Sequence, residues 1–208
     1  GGGAYDHRVI TSPRVRLVVA SCLMLLLELA LIRWLGSNVL HLSYFSNIVL
    51  LASFLGIGVG FLRAKKGGKR PVFFLPVLAG LVAVVSLFPV GVERESSDLI
   101  FFTAVSTSGP PPWVVLPVIF TLVAVILAGV GMLVAEPFFD LGRLDAYRYD
   151  LIGSLIGIAG FTLLSFLGAA PIVWGIVAVA LTIVLLLPRP SVWVYGAAVV
   201  LLGFLAAE

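Results

Sequence analysis

A chain of 208 residues that is 61% hydrophobic and only 11% charged does not fit a water-soluble domain, which is typically about half apolar and about a quarter charged. A mean hydropathy of +1.20 makes lipid the expected solvent of its core. The net charge is +3 and the single cysteine is Cys22, which excludes an internal disulfide, and so short a run of basic residues excludes a nucleic-acid role.

The opening Gly1-Gly2-Gly3 carries no methionine and reads as a cloning scar or a processed end, which leaves room for an excised piece of a longer protein. Residues 1–14 form an N-terminal cytoplasmic tail, and residues 15–208 form one transmembrane helical domain. The first apolar run exceeds a signal-peptide core of about 7–15 residues, and no small-residue cleavage site follows it.

A spanning helix needs about 20 mostly apolar residues. Successive stretches meet that need at 15–35, 42–62, 71–92, 113–134, 151–167, 171–187 and 191–207. The expected fold class is therefore all-α, a polytopic membrane bundle of about seven transmembrane helices. The first span is broken by Gly36-Ser37-Asn38. The second stops at Arg63, Lys65, Lys66, Lys69 and Arg70, and Pro71 opens the third. A long polar loop, 93–112, follows, with an apolar piece at 99–105 that either lies on the membrane surface or dips into it. Residues 136–150 read as a charged connector, and the short turns after it predict a compact subgroup of helices five to seven.

Orientation follows the placement of lysine and arginine. With the N-terminus in the cytosol, that side holds eleven of them, and the opposite side holds only Arg33 and Arg94. Glu208 then faces outward.

Glu28 is the residue that most needs a partner, because an ionised carboxylate beyond the midplane costs a few kcal/mol or more. It is either a ligand- or proton-carrying group or an inter-helix hydrogen-bond anchor. Arg33, five residues on, sits roughly 140° away around the helix and is expected to snorkel outward beside Trp34. His41, Tyr44 and Asn47 share a helix face. With Glu28 and Arg33 they either line an outward-facing polar pocket or serve as interfacial anchors.

The run Gly56-Ile57-Gly58-Val59-Gly60 imitates a cofactor loop, yet such a loop needs a strand before it and an acid about 20 residues on. Gly56 and Gly60 are read instead as a face for close helix contact, and Gly153, Gly157 and Gly160 repeat the pattern beside Ser154. The stretch 142–150 gathers Arg143, Arg148 and Asp150. Asp150 is expected to cap the fifth helix, and the arginines to meet lipid phosphates or a partner domain. No metal-ligand spacing, nucleophile set or cofactor loop is present, so no cofactor is expected.

Glu28-Leu29-Ala30-Leu31-Ile32-Arg33, and Tyr147-Arg148-Tyr149-Asp150-Leu151-Ile152-Gly153-Ser154-Leu155-Ile156-Gly157, resemble segments of the membrane-embedded spermidine synthase-like proteins. The segment from Gly60 to Arg70 is also similar to the major-facilitator loop between helices two and three, with Ala64 in place of its acid. The resemblance implies a multi-pass module in a prokaryotic inner or plasma membrane, followed by a soluble aminopropyltransferase-like domain. The chain stops at Glu208, where that domain would begin, so no catalytic residue carries over. A polyamine synthase should face the cytosol. Either the span count is off by one or the attached domain is of another kind.

The expected role is anchoring, with binding of a small cation such as a polyamine through Glu28, Tyr44 and Asp150. The alternatives are a non-catalytic assembly subunit and a half-transporter working as a dimer. Expected partners are the lipid bilayer, a soluble aminopropyltransferase-like domain or partner subunit, and a second copy of the chain.

Overall fold

The computed structural model describes residues 12–39, 46–65, 73–87, 111–186 and 192–207. These residues form seven helices: α1 (Pro13–Asn38), α2 (Ser46–Lys65), α3 (Phe74–Leu87), α4 (Pro112–Asp140), α5 (Arg143–Phe166), α6 (Pro171–Leu186) and α7 (Val192–Ala206). Four stretches are long and apolar enough to cross a membrane, Pro13–Asn38, Asn47–Lys65, Trp113–Asp140 and Arg143–Phe166, while α3, α6 and α7 are shorter apolar helices.

Proline and glycine set several of these bounds. Pro13 and Pro112 stand at helix starts, where a missing N–H is no loss and the fixed φ suits the first turn. Pro117 and Pro137 lie inside α4 without ending it. Gly168, at φ 67°, supplies the left-handed residue that closes α5.

Three expectations need correction. The triplet Gly36-Ser37-Asn38 does not end α1, which runs on through Asn38. Ser37 Oγ and Asn38 Nδ2 both donate to the Trp34 carbonyl, at 2.9 and 3.0 Å, so these polar residues satisfy the helix end they were expected to break. The charged stretch 136–150 is not a connector either. Only Leu141 and Gly142 separate α4 from α5, because arginine, leucine and alanine are strong helix formers and continue each helix past its apolar part. Finally, helices five to seven do not form a subgroup of their own. α5 packs mainly on α1 and α7 mainly on α3.

α1 and α4 make the centre of the bundle. They bury 56% and 67% of their apolar stretches, against 17% for α5. Leu17, Leu23 and Leu35 of α1 and Val123, Ile126, Leu127 and Val130 of α4 are fully enclosed. Contacts also fix direction. Gly153 and Gly157 of α5 meet Val18 and Cys22 of α1, and Gly56 and Gly60 of α2 meet Ala124 and Ala128 of α4. Both pairs of helices therefore run parallel. The start of α1 meets the end of α4 through Arg16 and Glu136, and Gly175 near the start of α6 faces Leu202 and Leu205 near the end of α7. These pairs are antiparallel. α1 and α5 thus run one way and α2 and α4 the other, and α6 and α7 oppose each other. All the described charged side chains except Glu28 and Arg33 gather at one end.

Candidate functional site

Three polar side chains of α1 fall on one stripe. Arg14, Ser21 and Glu28 are spaced by seven residues, which returns them to nearly the same face. Each meets a different neighbour. Arg14 pairs with Asp145 of α5 at 3.6 Å, both partly exposed, and its guanidinium lies 5.7 Å from the centre of the Tyr149 ring. Ser21, fully enclosed, donates to Asp150 Oδ1 at 2.6 Å. Glu28, 7% exposed, has the Ser53 side chain of α2 beside it, and the Ser53 hydroxyl donates to the Val49 carbonyl at 2.9 Å. Just off this stripe, Arg16 Nη2 donates to Glu136 Oε2 at 3.4 Å.

Asp150 is thus not the cap of the fifth helix. Arg143 opens α5 and Gly142 holds the cap position, so Asp150 lies two turns inside, where its carboxylate reaches across to α1. Trp34, expected beside Arg33 at the interface, is placed differently. It is buried, and the exposed Arg33 lays its guanidinium 5.5 Å from the ring centre of Trp174 on α6.

The expected binding residues that are described do not converge. Glu28 lies about 10 Å along α1 from Ser21, where Asp150 is held. Arg33 is farther still toward the opposite end, while Asn47 and Arg148 are exposed. His41 and Tyr44 lie outside the described residues. Three of the five described acids, Glu136, Asp145 and Asp150, are paired within the bundle, and Glu28 lies beside Ser53. The pairing residues Arg14, Arg16, Ser21, Ser53, Glu136 and Asp145 were not among the expected site residues. The seven-residue spacing of Arg14, Ser21 and Glu28 is the signal that would have found two of them, Arg14 and Ser21.

The glycines divide. A Cβ at Gly56 would overlap the Ala124 carbonyl, at Gly60 the Ala128 carbonyl, at Gly153 the Val18 carbonyl and at Gly157 that of Cys22. At Gly160 nothing lies within 4 Å, so it makes no close approach to another helix of this chain.

A small cavity of about 40 Å³ opens between α1, α3, α6 and α7, lined by Leu27, Trp34, Leu78, Trp174 and Leu201. The buried Trp174 Nε1 has no hydrogen-bond partner there. Among the described residues, no group of three histidine, cysteine or acidic side chains is placed to hold a metal ion. No protein-family model, curated protein or solved structure matches this chain.

Proposed function

We propose that this chain is a membrane-embedded module that crosses the bilayer seven times with its N-terminus in the cytosol, and that it serves as an anchoring and assembly unit, as its resemblance to the spermidine synthase-like proteins implies. The observation that carries this reading is the sorting of charge along the bundle. Of the seven described lysines and arginines, Arg14, Arg16, Arg63, Lys65, Arg143 and Arg148 lie at one end, and Arg33 alone lies at the other. Basic residues are retained on the cytoplasmic side of membrane proteins, whereas a soluble bundle has no reason to sort them. The three short helices, of 14 to 16 residues, reach about 21–24 Å. Local thinning of the bilayer accommodates spans of that length.

The internal pairing of acids with Arg14, Arg16 and Ser21 supports a structural role, since a catalyst or carrier needs such groups turned toward a shared space. The test is membrane extraction. The chain is expected to stay in the pellet after alkaline carbonate and to leave it only with detergent. Recovery as a monodisperse species in detergent-free buffer overturns the reading.

One observation favours a second role, the binding of a small cation. Glu28 is the one ionisable side chain among the buried described residues, and the polar side chain beside it is a neutral serine, Ser53. A carboxyl group held in that setting is costly unless it is used, and a polyamine nitrogen would offer the charge-assisted bond it lacks.

A further inference from the structure

The parallel approach of α2 to α4 leaves a cavity of about 240 Å³ on the flank of the bundle. Its walls are Leu55 and Val59 of α2, Phe120 and Val125 of α4, and Phe73 just ahead of α3, and Arg63 stands among the lining residues. On α2 the positions 55, 59 and 63 recur every four residues, so they form one stripe. That stripe runs about 12 Å from Leu55 to Arg63. Thr121 also lines the slot, but its hydroxyl donates to the Pro117 carbonyl at 2.8 Å, so it has no hydrogen left for an occupant.

Arg63 is exposed and belongs to neither ion pair found among the described residues. Lys65, also exposed, is two residues on. Both stand at the charged end of the bundle, which the seven-span reading puts at the cytosolic interface. Arg63 is then at the level of lipid headgroups, and the apolar slot runs from it toward the middle of the bilayer. The volume is roughly eight times the ~30 Å³ share of one liquid water. That is room for a segment of hydrocarbon chain and too little for a helix.

We propose that this slot holds one acyl chain of an anionic phospholipid whose phosphate pairs with Arg63. A guanidinium presents parallel donors to phosphate oxygens, and basic residues at the cytoplasmic surface attract anionic lipid. Lipid tails gain nothing by exchanging one apolar wall for another, so the headgroup pair selects the lipid and the slot seats its chain.

The inference rests on the membrane reading, and the experiment separates the two failures. Detergent-purified chain is incubated with phosphatidylglycerol or phosphatidylcholine, and the retained lipid is counted by native mass spectrometry. The parent is expected to retain the anionic lipid with about fivefold preference, the worth of one basic residue near a charged surface. Arg63→Gln should bring the preference close to parity, Arg63→Lys should keep part of it, and Val59→Trp should lower retention of both lipids by filling the slot. Equal retention of the two lipids by the parent, or an unchanged preference in Arg63→Gln, overturns the proposal. Should Val59→Trp fail to fold, the exposed Arg63 variants decide alone. A chain that is monodisperse without detergent sinks the membrane reading before the lipid comparison begins.

Discussion

Glu28 and Asp150 are both acids set within helices, yet their surroundings assign them different work. Asp150 accepts a 2.6 Å bond from the enclosed Ser21, which ties α5 to α1. Bonds of this kind between membrane helices contribute about 0.6 to 2 kcal/mol, because unfolded helices in lipid also find partners. That is the scale of a clamp, and it leaves Asp150 little reason to bind anything else. Glu28 is buried among the leucines of α1, such as Leu27 and Leu31, with the neutral Ser53 side chain beside it. Glu28→Gln keeps the shape and an oxygen acceptor while removing the charge a cation would need. If Glu28 holds a polyamine, spermidine should raise the melting temperature of the purified parent and leave Glu28→Gln unmoved. Equal shifts in both proteins, or no shift in the parent, remove the cation role and leave Glu28 as an anchor between α1 and α2.

Between elements, glycine determines how closely helices approach, and the three glycines of α5 make opposite forecasts. Gly153 and Gly157 press on the α1 backbone at Val18 and Cys22, which cannot yield as a side chain can. Gly153→Leu should force α1 and α5 apart and cost about 1–3 kcal/mol or more, as overpacking does. Gly160→Leu enters open space and exchanges a poor helix former for a good one, so it should be neutral or stabilising by up to about 1 kcal/mol. Thermal unfolding in detergent compares them, and equal losses in the two variants would refute this account of the α1–α5 contact. The close contact at Gly153 and Gly157 was legible in the chain, because a spacing of four residues keeps glycines on one face. The freedom of Gly160 was not. In the parallel register of Gly153 with Val18, Gly160 falls opposite Leu25, where α1 changes from small residues to leucines, and nothing lies within 4 Å of the place a Cβ would take. The run 136–150 hid its structure for a related reason: charge marks where a helix leaves lipid, not where it ends. Asp150 was taken for a cap on that account, and its bond to Ser21 depends on a pairing of α1 with α5 that no local pattern announces.

For the whole molecule, the decisive quantity is the direction of the bundle. The parallel pairs α1–α5 and α2–α4 and the antiparallel α1–α4 ion pair place the starts of α1 and α5 together, and the end of α1 opposite them. Ser37 and Leu144 therefore mark the two ends, and both side chains are exposed. Single cysteines at these sites, introduced beside Cys22→Ser, report the direction through a membrane-impermeant maleimide. Ser37→Cys gives up one bond to the Trp34 carbonyl, which Asn38 continues to satisfy, and Leu144→Cys disturbs a side chain that is 85% exposed, so neither change should move a helix. With six basic side chains gathered near Leu144 and one near Ser37, the label should reach Ser37→Cys on intact cells and Leu144→Cys only after permeabilisation. The reverse pattern would mean that basic residues do not hold their end in the cytosol. Labelling of both sites on intact cells would mean that α1 and α5 do not cross a bilayer together, and the shared direction read from their glycine contacts would then belong to some other arrangement of the chain.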